Sequence, residues 1–154
     1  MSMATALHSA ARATILSFGW RRAAIALAAG AVSALAMAPF NAWPVLFVTF
    51  PVLVWLIDGT GPGRRGVVSA AIAGWWFGLG YFVAGLYWIG NALLVDADTF
   101  AWLLPLAILG LPALLALFMA AGCALARTIW TRDWSRLLSL AVALTVSEWL
   151  RGHI

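Results

Sequence analysis

The acid and the arginine nearest the end of the sequence are the pair best placed to do chemistry. Glu148 and Arg151 stand three positions apart in the segment SEWLRG, and side chains at that spacing share one face of a helix and can pair. An ionisable group at the end of a membrane span is costly if it faces lipid, and it is functional more often than elsewhere. The alternative is a pair that only marks the membrane interface. The sequence leaves both interpretations open.

Other reactive groups carry no catalytic signal. Cys123 lies between small apolar residues, with no His, Lys or acid near it in sequence, and a thiol in such surroundings is unreactive. We therefore interpret Cys123 as a packing residue, and a single cysteine excludes an internal disulfide or a CxxC metal site. His8 stands in an Ala- and Ser-rich stretch that we expect to be mobile. The chain contains no phosphate loop, HExxH or GxSxG motif, and we predict neither a metal nor a cofactor.

The composition indicates what surrounds these residues. Of the 154 residues, 65% are hydrophobic and 9% are charged, whereas about 25% of an ordinary soluble domain is charged. So few charges would leave large apolar patches in water, which excludes a soluble monomer. The net charge of +4 comes from arginines in separated groups between apolar runs, a pattern typical of membrane topology and not of nucleic-acid binding.

Four charge-free runs, at residues 23–57, 66–95, 99–126 and 137–147, define the elements that must position the pair. About 20 apolar residues cross a bilayer, and the prolines at positions 39 and 44 divide the first run in two. The sequence therefore predicts an all-α, polytopic membrane helix bundle of about five transmembrane helices. We place the spans near residues 22–38, 43–57, 67–89, 103–126 and 135–150, within a transmembrane domain of residues 22–154. Residues 1–21 form the N-terminal segment, which we predict to be cytoplasmic.

The arginines predict the orientation of this bundle, because short cytoplasmic loops attract positive charge. With a cytoplasmic N-terminus, only Arg151 falls outside, and the other arginines all fall inside: Arg12, Arg21, Arg22, Arg64, Arg65, Arg127, Arg132 and Arg136. Most tryptophans also fall near predicted helix ends, the depth that indole prefers. A cleaved secretory signal ending in Ala36, Met37 and Ala38 is an alternative, but an uncleaved first helix is simpler.

The third predicted helix combines glycines with aromatic residues. Gly74 and Gly78 form a small-xxx-small pair that lets another helix backbone approach closely. A functional interpretation is that the rings beside the glycines shape a groove for a lipid chain, and the alternative is ordinary helix packing.

Three segments together resemble a known family. Residues 36–44 (AMAPFNAWP), 74–90 (GWWFGLGYFVAGLYWIG) and 147–152 (SEWLRG) are similar, in order and spacing, to the N-terminal membrane region of apolipoprotein N-acyltransferases. The resemblance implies a multi-pass enzyme of the bacterial inner membrane. Such an enzyme transfers an acyl chain from a membrane phospholipid to the α-amino group of the diacylglyceryl-cysteine that begins a diacylated lipoprotein. It also implies a cysteine thioester in a nitrilase-like domain outside the membrane.

That nitrilase-like domain has no counterpart in these 154 residues, so no catalytic residue is carried over and Cys123 is not the family nucleophile. We expect a fragment of the enzyme that is inactive alone. We expect its outer end to bind substrate or to dock the catalytic domain, through Tyr87, Trp88, Asn91, Glu148 and Arg151. The competing hypothesis is a non-enzymatic membrane scaffold or a small transporter subunit. The lack of strongly polar residues at mid-membrane depth favours a scaffold over transport.

Overall fold

The computed structural model describes residues 3–87, 103, 105–131 and 133–153, and these residues form helices, turns and loops without any strand. Six α-helices follow one another along the described chain. They are α1 (Met3–Ile15), α2 (Gly19–Ser33), α3 (Leu46–Asp58), α4 (Gly63–Leu86), α5 (Leu111–Thr128) and α6 (Ser135–Arg151). Short 3-10 turns at Ala34–Ala36 and Trp43–Val45 flank the α2–α3 connection, and a π-helical turn at Leu106–Gly110 leads into α5.

Glycine and proline set several of the helix ends. Pro62 is extended and Gly63 has a φ of 67°, a backbone conformation that glycine adopts without steric cost, and α4 begins there. Pro44 and Pro112 stand at the first turns of their helices, where the missing N–H has no helical partner to lose. Pro51 lies inside α3, where it removes one backbone hydrogen bond.

Helix α4 is the centre of the bundle and packs against α2 on one side and α5 on another. A Cβ on Gly74 would lie 2.7 Å from the Cys123 sulfur, and one on Gly78 would lie 2.9 Å from the Cβ of Met119. A Cβ on Gly80 would collide with the Leu27 carbonyl of α2. The glycine gaps of α4 are thus filled by neighbouring helices, as in small-residue packing between membrane helices. This supports the packing interpretation of Gly74 and Gly78, and Cys123 is a fully buried packing residue as expected.

Both the core and the surface of the bundle are apolar. Phe77, Leu53 and Leu56 are fully buried, while many large apolar side chains of α3, α5 and α6 point outward. The most exposed of these are Phe47, Val48, Leu114 and Leu138, and Leu106 of the π-helical turn is as exposed as Leu114. Two helical segments are long and apolar enough to cross a membrane, Gly63–Leu86 and Leu106–Thr128, and Trp43–Asp58 is a shorter apolar helix.

Consecutive helices from α2 to α6 run in opposite directions, so their ends gather into two groups. We call the first the arginine end: it comprises the starts of α2, α4 and α6 and the ends of α3 and α5. Arg22 of α2 donates to the Leu56 carbonyl of α3 there, and Arg136 of α6 contacts Asp58 of α3. We call the opposite group of ends the Glu148 end, after the acid near the end of α6.

Helices α2 to α6 overlap the five ranges that the sequence proposed as spans. Whether all five cross a bilayer, and the division at residues 21 and 22, stay predictions. The stretch around His8 is different: it was expected to be mobile, and it forms helix α1. A charge-free run of membrane-spanning length does not reveal this helix, because α1 is short and carries His8, Ser9 and Arg12. Such a helix needs only a stripe of apolar residues on one face.

Candidate functional site

Glu148 and Arg151 form an ion pair in the last turn of α6. The Arg151 Nε donates to the Glu148 Oε2 over 3.0 Å, and an Nη2 of the same guanidinium contacts that oxygen too. The two side chains are 40% and 35% exposed. An ion pair this exposed to water contributes under ~1 kcal/mol, so its role in stability is small. The pairing that the spacing predicted is present, and among the described residues no donor contacts the second carboxylate oxygen.

The pair also contacts the end of α4. The Arg151 guanidinium lies 5.7 Å from the ring centroid of Phe82, within the range of a cation–π interaction. The Phe82 ring itself packs edge-on against Tyr81, with centroids 5.2 Å apart. Phe82 was part of the aromatic block that the sequence analysis noted, but nothing local indicated that it meets Arg151.

Helix α6 is held in this position by α5. Ser147, the residue before Glu148, is buried and donates to the Phe118 carbonyl of α5. A Cβ on Gly122 of α5 would lie 2.9 Å from Leu144 and 3.2 Å from Ser147, so the two helices approach closely one turn below the ion pair. These contacts fix the last turn of α6 relative to α4 and α5.

Tyr87 lies at the same end but on another side of α4. It follows the helix directly, is 66% exposed, and lines a cavity of about 310 Å³ together with Met37 and Phe40 of the α2–α3 connection. Tyr87 stands five positions after Phe82, and five positions correspond to a rotation of about 140° around a helix axis. Tyr87 and the ion pair therefore lie at the same end of the bundle, but no direct contact between them is found among the described residues. Trp88 and Asn91, the other two predicted site residues, lie outside the described residues.

The arginine end holds a polar network that the sequence analysis did not assemble. Asp58 accepts from Arg136 over 3.0 Å and from the Trp130 indole over 2.9 Å. Arg127 donates to the Thr60 hydroxyl over 2.6 Å and to the Gly61 carbonyl over 2.9 Å. The available signal was that each of the two polar loops contains both an acid and arginines, but sequence spacing does not show which loops meet. The network joins α3, α5 and α6 and contains no group aimed into a cavity as a nucleophile would be.

Neither end provides a set of metal ligands within the residues that the structure covers: no three His, Cys, Asp or Glu side chains come together there. The chemistry available at the Glu148 end is hydrogen bonding and ion pairing with a polar headgroup or a polypeptide.

Comparison with known proteins identifies the relatives of this chain. Residues 29–154 match the family model described as the apolipoprotein N-acyltransferase N-terminal domain. A protein of Rhodopseudomonas palustris named apolipoprotein N-acyltransferase is 70% identical over 149 residues, which are 96% of this chain and 28% of that relative. Proteins of the same name from Bradyrhizobium diazoefficiens and Brucella suis are 63% and 56% identical and are covered to 29% and 27% of their lengths. No solved structure matches the chain.

Proposed function

We propose that this chain, which belongs to the apolipoprotein N-acyltransferase family, supplies the membrane domain of an enzyme that acylates lipoproteins. The acyl chain would come from a membrane phospholipid, and the acceptor would be the α-amino group of the N-terminal diacylglyceryl-cysteine of a lipoprotein. The observation that carries the proposal is the family match over residues 29–154. The chain spans under a third of the length of these relatives. We assign the catalytic groups of the enzyme to the part of the relatives that the chain does not span.

Three features support a multi-pass position in the bacterial inner membrane. The outward face of the bundle is apolar, which suits lipid and not water. Tryptophans that are more than half exposed flank the helices at both ends of the bundle: Trp20 and Trp134 at the arginine end, and Trp43 and Trp149 at the Glu148 end. All described arginines except Arg151 belong to the arginine end or to the adjoining α1, which favours a cytoplasmic location for that end.

The Glu148 end then faces the outer side, where an acyl acceptor would arrive. The Glu148 carboxylate lies within α6, which α5 holds in place, and the Arg151 guanidinium bridges it to Phe82. Such a pair can orient a phospholipid headgroup or dock a catalytic domain. Tyr87, Trp88 and Asn91 belong to the same proposal as residues near the end of α4.

A chimera tests the proposed role of the pair. This chain would replace the matching region of the Rhodopseudomonas palustris relative in a strain depleted of its own enzyme. Mass spectrometry of lipoprotein N-termini would then measure acylation. We expect the unaltered chimera to acylate, and Glu148→Gln or Arg151→Ala to slow acylation about tenfold, equivalent to ~1.4 kcal/mol of barrier, with the protein still inserted.

Two controls sharpen this result. Thr145→Ala changes an exposed residue of α6 one turn before the pair and should leave the rate unchanged. The double variant Glu148→Arg with Arg151→Glu keeps an ion pair but exchanges the positions of its two charges. If the acylation rate of this double variant returned to that of the unaltered chimera, the pair would have a merely structural role. Wild-type turnover in both single variants would contradict the proposed role.

The chain alone should carry no transferase activity. Purified and supplied with phospholipid and a diacylated lipopeptide, it should yield no triacylated product by mass spectrometry, whereas the chimera should. Product formation by the isolated chain would refute the assignment of catalysis to residues outside it.

A further inference from the structure

Helix α1 and the linker to α2 present apolar side chains to the surroundings instead of to the bundle. Leu7 is 54% exposed, Leu16 is 65% exposed, and Phe18 and Trp20 are each 76% exposed. Exposed aromatic and aliphatic groups this close together are costly in water. The family model begins at residue 29, so it assigns no role to this segment.

Among the described residues, α1 meets the bundle at its last turn. The Ile15 carbonyl lies against Gly59, where a Cβ would collide with it, and Thr14 and Ser17 are buried. Residues 5–10 are all exposed. Leu7, Ala11 and Ile15 follow one another at a spacing of four, which places them on one helix face. The apolar face that begins at the bundle therefore continues beyond it, without a partner among the described residues.

The charge around this face is positive. Arg12 of α1 and Arg21 of α2 are exposed, and the Arg21 guanidinium lies 5.9 Å from the Trp20 ring centroid. Arg64 and Arg65, in the first turn of α4, are exposed at the same end of the bundle. The sequence has no acidic residue before Asp58. A surface that combines apolar side chains with unbalanced arginines is complementary to a membrane surface of anionic lipid.

We infer that α1 and residues 16–20 form an interfacial anchor that binds anionic phospholipid on the arginine side of the membrane. Leu7, Leu16, Phe18 and Trp20 enter the boundary between headgroups and acyl chains, while Arg12 and Arg21 contact lipid phosphates. This inference rests on the proposed membrane location of the bundle. It adds a lipid-binding site outside the family-defined region.

Fluorophore labelling of the full chain in lipid nanodiscs tests the anchor. In a Cys123→Ala background, an environment-sensitive dye is attached at Leu7→Cys, at Ser9→Cys on the opposite face of α1, or at Leu114→Cys on the outer face of α5. The discs contain phosphatidylcholine alone or with phosphatidylglycerol, and a spin-labelled lipid serves as quencher. In anionic discs we expect blue-shifted, strongly quenched emission at position 7 and water-like emission at position 9.

The two arginines are tested with the same label. Arg12→Ala and Arg21→Ala should each lower the ratio of membrane-inserted to water-exposed dye at position 7 about fivefold.

The label at position 114 separates the two proposals. If position 114 is quenched and position 7 is not, the anchor is refuted and the membrane location stands. If position 114 is not quenched, the membrane location fails and the anchor fails with it. If the dye at position 7 is blue-shifted but the spin-labelled lipid does not quench it, the dye is buried against protein, such as a second copy of the chain. That result would also overturn the anchor.

Discussion

At the scale of single residues, charged side chains pair both within one helix and between helices. Glu148 and Arg151 pair because they are three positions apart on α6, and the sequence shows that spacing directly. Asp58 and Arg136 pair across 78 positions, and Arg151 meets Phe82 of α4. Such contacts depend on which helix ends meet, and spacing along the chain holds no information about that.

Asp58 is the residue whose loss should cost most at the arginine end. Its side chain is 18% exposed and accepts from both Arg136 and Trp130. Removing this half-buried acceptor takes a partner from both donors, at about 1 kcal/mol, the low end of the range for buried groups, because Arg136 stays partly in water. Asp58→Ala should therefore lower the thermal unfolding temperature in detergent, and Asp58→Asn should lower it less because one acceptor oxygen remains. Asp133→Ala, at an exposed acid of the neighbouring loop, is the matched control. An equal shift in Asp58→Ala and Asp133→Ala would show that the network contributes nothing.

At the scale of helices, the charge-free runs and the prolines gave ranges that α2 to α6 overlap, although α5 begins at Leu111 and not near residue 103. Gly74 and Gly78 indicated a face for close packing, but not that α5 would fill it. Helices that are apolar on every side carry no stripe from which neighbours can be deduced, so the central position of α4 could not be predicted. Helix α1 was missed because its Ala- and Ser-rich sequence around His8 was interpreted as a mobile stretch.

The contact of α4 with α2 should be sensitive to a single methyl group at Gly80. Gly80→Ala gains up to about 1 kcal/mol of helix propensity, but its Cβ would collide with the Leu27 backbone, and overpacking costs about 1–3 kcal/mol. We expect a net loss of stability in detergent unfolding. In Gly85→Ala of the same helix, the nearest described atom to the new Cβ is the flexible Met37 sulfur at 3.0 Å, and the Ala34 Cβ lies at an ordinary 4.0 Å, so the change should be neutral or mildly stabilising. If Gly85→Ala proved as destabilising as Gly80→Ala, the close packing of α2 on α4 would be contradicted.

At the scale of the whole molecule, apolar surface and charge are separated in a way that suits a bilayer. Small residues fill the contacts between α2, α4 and α5, large apolar side chains point outward, and the charged groups lie at the two ends. The two ends also differ in net charge among the described residues, since the arginine end carries an excess of arginines whereas Glu148 and Arg151 balance each other at the Glu148 end. Three proposals require that the arginine end and the Glu148 end lie on opposite sides of one membrane. They are the acylation role, the outer position of Glu148 and the α1 anchor.

The most direct test of this account is the accessibility of one cysteine at each end of the bundle in intact cells. In a Cys123→Ala background, Gly61→Cys places a thiol at the arginine end, where a Cβ meets nothing within 4 Å. His153→Cys places one at the Glu148 end, at an exposed position. With a membrane-impermeant maleimide applied from outside, the account predicts labelling at position 153 before lysis and at position 61 only after it. Labelling of position 61 from outside, or of both positions from the same side, would contradict it.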